Sequence, residues 1–208
     1  MLEREKFFMK NSIINFSKLS KQLIIFYICF YSNNVFSDNN ILLESIENDW
    51  NNTQTMSGEF NQKLPNDIIV SGKFFIQKPH KSNFTYDNKG QKIITSKFFI
   101  SILDNEGYFL DRYPIIDQPI YKLLSKDVDF RKLFKFIKVN NFDNEIIIEV
   151  TSKNEVSIKL IFNKVDYSLK NWEIIDELGQ STYLQFTKIR KNISIDPEIF
   201  TIKEADKY

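Results

Sequence analysis

Residues 156–162 read Val-Ser-Ile-Lys-Leu-Ile-Phe, so Val156, Ile158, Leu160 and Phe162 alternate with Ser157, Lys159 and Ile161. A period of two sends successive side chains to opposite faces of an extended strand, which makes one face of this segment wholly apolar. Turn-forming residues flank it at Lys153-Asn154 and at 163–166. Beyond those turns, 145–152, 169–176 and 180–190 carry the same strand character. Upstream, Met56, Gly58, Phe60, Gln62 and Leu64 share one face of a strand, and Val70, Gly72, Phe74, Ile76 and Lys78 share one face of the next. That strand stops at Pro79, because proline has no N–H for a central ladder. Shorter strands follow around Phe84 and Tyr86, around Ile93, and through Phe98, Ile100 and Ile102. The turn Asp104-Asn105-Glu106-Gly107 returns the chain along Tyr108 to Tyr113.

Two regions break the pattern. Ile41, Leu42, Ile46 and Trp50 recur at helical spacing and predict an amphipathic helix over 39–51. Between Pro114 and Phe134 the spacing of Ile120, Leu123 and Leu124, then Val128, Arg131 and Lys132, predicts one or two short helices starting just after Pro119. A last segment, Asp196-Pro197 and Phe200 to Lys203, is expected to close with a turn and a short strand. The order is helix, about six strands, a helical insert, and four or five strands more. That order predicts a mostly β, antiparallel fold with the helices on one apolar face of the sheet.

The first 37 residues carry Lys10, Lys18 and Lys21, then the apolar run Leu23 to Tyr31, then a polar stretch ending Val35-Phe36-Ser37. This is the order of a secretory leader, and about nine apolar residues fall short of the roughly 20 that span a bilayer. Cleavage is expected after about Ser37, leaving a single domain over 38–208; Met9 is an alternative start. Cys29, the only cysteine, lies within the leader, so disulfides and thiolate chemistry are not expected of the mature chain. Without the leader's five basic and two acidic residues, the 28 basic and 27 acidic residues fall to 23 and 25. No basic field for nucleic acid remains.

Catalytic chemistry has little material. His80 is the sole histidine and is expected in a solvated turn after Pro79, and five glycines do not make a phosphate-cradling loop. The acid pairs Asp104/Glu106 and Asp127/Asp129 fall where turns and caps explain them. No enzyme activity, cofactor or metal is expected. The abundance of Phe and Tyr on strands fits a packed core and a binding cavity equally well.

Several segments in order resemble the outer-membrane lipoprotein carrier (LolA) family. Met56-Ser57-Gly58-Glu59-Phe60-Asn61-Gln62 is similar to the family's Phe-x-Gln strand, and Ser71 through Pro79 to its glycine, strand, basic residue and proline. Asn83-Phe84-Thr85-Tyr86, Tyr113-Pro114-Ile115 with Pro119 to Leu124, Trp172 to Gly179, and Ile195 to Phe200 follow in the family's order. The resemblance implies an incomplete β-barrel of about 10–11 strands, with a short helical lid over its concave apolar face. It implies a periplasmic chaperone, expected as a monomer, that takes lipoproteins by their acyl chains from an inner-membrane releasing ABC transporter to an outer-membrane receptor. A carrier is needed because an acyl chain costs on the order of 10 kcal/mol in water, at roughly 0.8 kcal/mol per methylene. Strand parity then places Phe74, Ile76, Phe84, Tyr86, Phe98, Ile100, Val156, Ile158 and Leu160 on the concave face, with Leu123 and Leu124 under the lid. Lys78 stands where the family has an arginine that holds the lid by hydrogen bonds to helix backbone; lysine lacks the bidentate fork. The alternative is a related half-barrel that senses a regulatory protein or lipid.

Overall fold

A computed structural model describes residues 39–202, apart from 65, 89, 117, 152–155, 176 and 177. The expected leader lies outside the described residues. The chain divides into two compact units, Met1–Leu42 and Leu43–Tyr208. In the first, residues 39–42 are helical. The second opens with helix α1 (43–52). Its buried stripe is Leu43, Ile46 and Trp50, whereas Ile41 is 59% exposed. Ile46 and Trp50 of the predicted stripe are thus buried, and Leu43 is buried with them.

Six strands follow: β1 (Thr55–Lys63), β2 (Ile69–Gln77), β3 (Lys81–Tyr86), β4 (Lys92–Thr95), β5 (Phe99–Leu103) and β6 (Phe109–Pro114). The helical insert is α2 (Pro119–Leu123) and α3 (Phe130–Leu133), with Pro119 opening α2 and the Asp129 side chain accepting from the Lys132 N–H at the start of α3. Then come β7 (Phe136–Asn141), β8 (Glu145–Thr151), β9 (Ser157–Asn163), β10 (Leu169–Ile175) and β11 (Ser181–Lys191). Strand β7 was not expected. The closing turn expected at Asp196-Pro197 is a 3-10 turn, Pro197–Phe200, with Pro197 at its start and Asp196 capping it by accepting from the Glu198 N–H. Of the short strand expected over 200–203, residues 201 and 202 are not in a strand and 203 lies outside the described residues.

All eleven strands form one antiparallel sheet in the order β6-β5-β4-β3-β2-β1-β11-β10-β9-β8-β7. The chain leaves the middle at β1, meanders out to β6, crosses through α2 and α3 to the far edge at β7, and meanders back to β11 beside β1. Edges β6 and β7 do not pair, so the sheet is mostly antiparallel β and is not closed into a barrel.

Cross-strand register assembles one continuous apolar face. Phe74 faces Phe84, Phe84 faces Ile93 and Ile93 faces Ile102, while Leu184 faces Trp172 and Trp172 faces Leu160. Aromatic rings fill the centre: Phe60 to Phe84 at 5.3 Å, Phe74 to Phe186 at 5.0 Å and Trp172 to Phe186 at 5.1 Å. Edge-on pairs at these distances add to the burial itself. Gly72 makes the arrangement possible, since a Cβ there would sit 2.8 Å from the Phe60 ring.

Candidate functional site

Lys78 follows β2 on the face that carries Phe74 and Ile76, and only 7% of it is exposed. Its Nζ donates to the carbonyl of Trp50 at the end of α1 and lies 4.8 Å from the Trp50 ring centroid. Burial lowers its pKa to about 8, against the opposing pull of Asp127 and Asp49. A lysine pointing to solvent is thus excluded. The same Trp50 ring meets Phe162 of the concave face edge-on at 6.4 Å, and its Nε1 donates to Leu123 O of α2 at 2.9 Å.

The helical insert is joined to α1 and to the turn between β2 and β3 by further polar links. Asn51 both donates to Val128 O at 2.9 Å and accepts from the Val128 N–H at 2.8 Å, and Glu47 accepts from the Phe130 N–H at 2.8 Å. Burial raises the Glu47 pKa, opposed by that hydrogen bond. The His80 N–H donates to Leu124 O at 2.8 Å, and the His80 ring stacks on Tyr121 at 4.1 Å and 5°. His80 is therefore half-buried against α2 rather than in a solvated turn, because its positive φ of 61° folds it back toward the insert. Burial lowers its pKa. Leu123, Leu124, Val128 and Phe130 beneath the links are almost wholly buried. Cover and sheet thus meet through apolar contact, fastened at a few polar points.

At the opposite end of the strands the concave face stays open. A cavity of about 610 Å³ is walled by Leu64, Ile69, Val70, Tyr86, Ile93 and Ile102, with Asn66, Asn88 and Gln91 at its rim. The Tyr86 hydroxyl donates to Gln62 Oε1 at 2.5 Å, and burial pushes its pKa up to about 12.

The expected acyl-contacting residues fall into three groups. Phe74, Ile76, Phe84, Ile158, Leu160, Leu123 and Leu124 come together, but in a filled interior. Tyr86 lines the open cavity, while Ile100 and Val156 are half-buried. Phe98 does not join them: it precedes β5, is 52% exposed and has Lys97 Nζ 5.3 Å from its ring. The turn from Ser96 to Phe99 breaks the parity that linked it to Ile100. Ile93 and Ile102 were missed as cavity residues although they share a register row with Phe84. Strands as short as β4 and β5 do not reveal which faces lie opposite.

Among the described residues no group of three or more His, Cys, Asp or Glu could hold a metal ion, and no helix is long and apolar enough to cross a membrane. An uncharacterized protein of Rickettsia prowazekii (strain Madrid E) is 28% identical over 193 residues, covering 90% of this chain and 90% of that one. Among solved structures, an uncharacterized conserved protein from Thermus thermophilus aligns with a TM-score of 0.51 at 9% identity, over 80% of this chain and 94% of that chain. A LolA superfamily protein from Nitrosomonas europaea aligns at 0.42 and 10% identity, over 76% of this chain and 96% of that chain. The family described as outer membrane lipoprotein carrier protein LolA matches residues 51–203. Over that span, which covers all eleven strands and the helical insert, this chain belongs to the LolA family.

Proposed function

We propose that this protein is a periplasmic carrier that shields the acyl chains of lipoproteins between an inner-membrane lipoprotein-releasing ABC transporter and an outer-membrane receptor, with residues 1–37 serving as its export leader. The observation that carries the reading is the two-part apolar face: an open cavity of about 610 Å³ at one end and a helix-covered interior at the other. Acyl chains enter at Tyr86, Ile93 and Ile102, then displace Leu123 and Leu124 from Phe74, Phe84 and the rest of the interior. Lys78 acts as the fastener through Trp50, and its single-point ammonium makes the cover easier to lift than a bidentate guanidinium would. Affinity is then the difference between two apolar packings, cover on sheet and acyl chain on sheet. No nucleotide or metal on this protein is needed, because one apolar surface replaces another.

Release of lipoprotein from inner-membrane vesicles tests this. Ile69→Glu and Ile102→Asn place polar groups in the cavity wall, where burial against a hydrocarbon chain is unfavourable, and each is expected to reduce release about tenfold or more. Ile69 is 64% exposed, so the first variant keeps its fold by circular dichroism. Wild-type release by both variants would overturn the assignment.

A further inference from the structure

The carrier role uses only the concave face, and the other side of the sheet has a feature independent of it. At the sheet's centre β11 carries one residue more than β1: Glu59 faces Thr187, but Ser57 faces Arg190. The extra residue makes a bulge in which Lys188 takes a positive φ of 52°. Beside it opens a groove of about 620 Å³ lined by Ser57, Glu59, Lys73, Phe75, Lys188 and Arg190. Three cations thus face one carboxylate, and that carboxylate is already paired with Lys188 Nζ at 2.9 Å. Among the described residues no ion pair engages Lys73 or Arg190.

A second observation concerns Ser57, which lines the groove. Ser57 is 2% exposed, and its Oγ is buried with no hydrogen-bond partner. A buried hydroxyl is ordinarily satisfied, so one left open beside unpaired cations calls for an acceptor. Lys73 reaches in from β2 and Arg190 from β11, with β1 between them, so their backbones stand about 10 Å apart at the usual strand spacing. An acceptor over Ser57 would meet a hydroxyl from below and a cation from each side. Donors converging from three directions suit a tetrahedral oxyanion, whose oxygens diverge, better than a planar carboxylate.

We propose that this groove binds a phosphate-class oxyanion, either free phosphate or the phosphate of a lipid headgroup, with Ser57 Oγ donating from the floor and Lys73 and Arg190 closing from opposite sides. The test uses the mature protein at low salt, titrated with inorganic phosphate by calorimetry and floated with phosphatidylglycerol or phosphatidylcholine vesicles. Binding is expected to weaken at least about tenfold in the Lys73→Gln/Arg190→Gln double variant and to be unchanged in Lys126→Gln, an exposed lysine outside the groove. Ser57→Ala should lose affinity while its melting temperature holds or rises, since it removes an unpaired buried hydroxyl; a purely structural serine would change stability without changing affinity. Flotation with phosphatidylglycerol that is lost in the double variant identifies a headgroup, and phosphate binding without flotation identifies the free anion. Absence of both, or binding unchanged in the double variant, overturns the proposal.

Discussion

Burying an ammonium on a carbonyl and an indole ring gives Lys78 a pH signature of its own. With its pKa at about 8 in the folded protein and about 10.4 in an unfolded chain, both states are protonated below pH 8, and there the fold bears the full cost of desolvation. Between the two values the folded chain releases the proton while the unfolded chain keeps it, so stability rises with pH across this window. Lys78→Met has no such step. Denaturant unfolding of both proteins from pH 7 to 10.5 should show the wild type gaining roughly 3 kcal/mol relative to the variant, less wherever water reaches the site. At pH 7 the variant should be no less stable, because an apolar side chain replaces a buried charge. Trp50 carries the next link. Trp50→Phe keeps the ring contact with Phe162 but leaves the Leu123 carbonyl unpaired, at a cost of about 1–3 kcal/mol measurable in the same unfolding experiment.

Helices of five and four residues are far below the length at which an isolated helix is stable, so α2 and α3 exist through their contacts. Asn51→Ala removes both bonds to Val128 at once and should cost about 1–3 kcal/mol. Amide exchange should then accelerate across 119–134 well before it does in β1 or β11. The two tiers of order explain what the sequence could reveal. Strands β1, β2 and β9 are long and alternate, so they were legible from side-chain parity alone. Strand β7 was not, because after Ile137 and Val139 its sequence turns to Asn140 and Asn141, and its only sheet neighbour is β8. The helical insert was legible from Pro119, Leu123 and Leu124, but its anchoring was not: His80, Asn51 and Glu47 bind it from positions far away in the chain, where no local pattern announces the partner. The candidate site divides in the same way. Parity put Phe74 and Phe84 on one face of neighbouring strands, where the register pairs them, yet it could not show that rings from β10 and β11 pack against them. That packing is why a glutamate at Phe84 would test the fold and not the cargo, whereas Ile69 and Ile102 test the cavity.

At the largest scale, the sheet of the second unit is two meanders that meet at β1 and β11, with the helical crossover linking their outer edges. Because the interior is filled in the closed form, loading on this scheme is exchange rather than filling: the crossover must lift as acyl chains take its place, while the central strands hold. Two tryptophans make the step visible, since Trp50 lies at the fastening point and Trp172 lies in the core. Trp172→Phe leaves Trp50 as the only tryptophan emitter, and it removes no hydrogen bond because the Trp172 Nε1 is unpaired in its buried site. Titrating that variant with a lipidated peptide should shift the Trp50 emission to longer wavelength as its bond to Leu123 breaks and water reaches the indole. Amide exchange in β1 and β11 should stay slow throughout. If mass spectrometry finds the lipid bound while the Trp50 emission does not move, the chains enter without lifting the crossover. The open cavity alone would then hold them, and Leu123, Leu124 and Lys78 would have no part in loading.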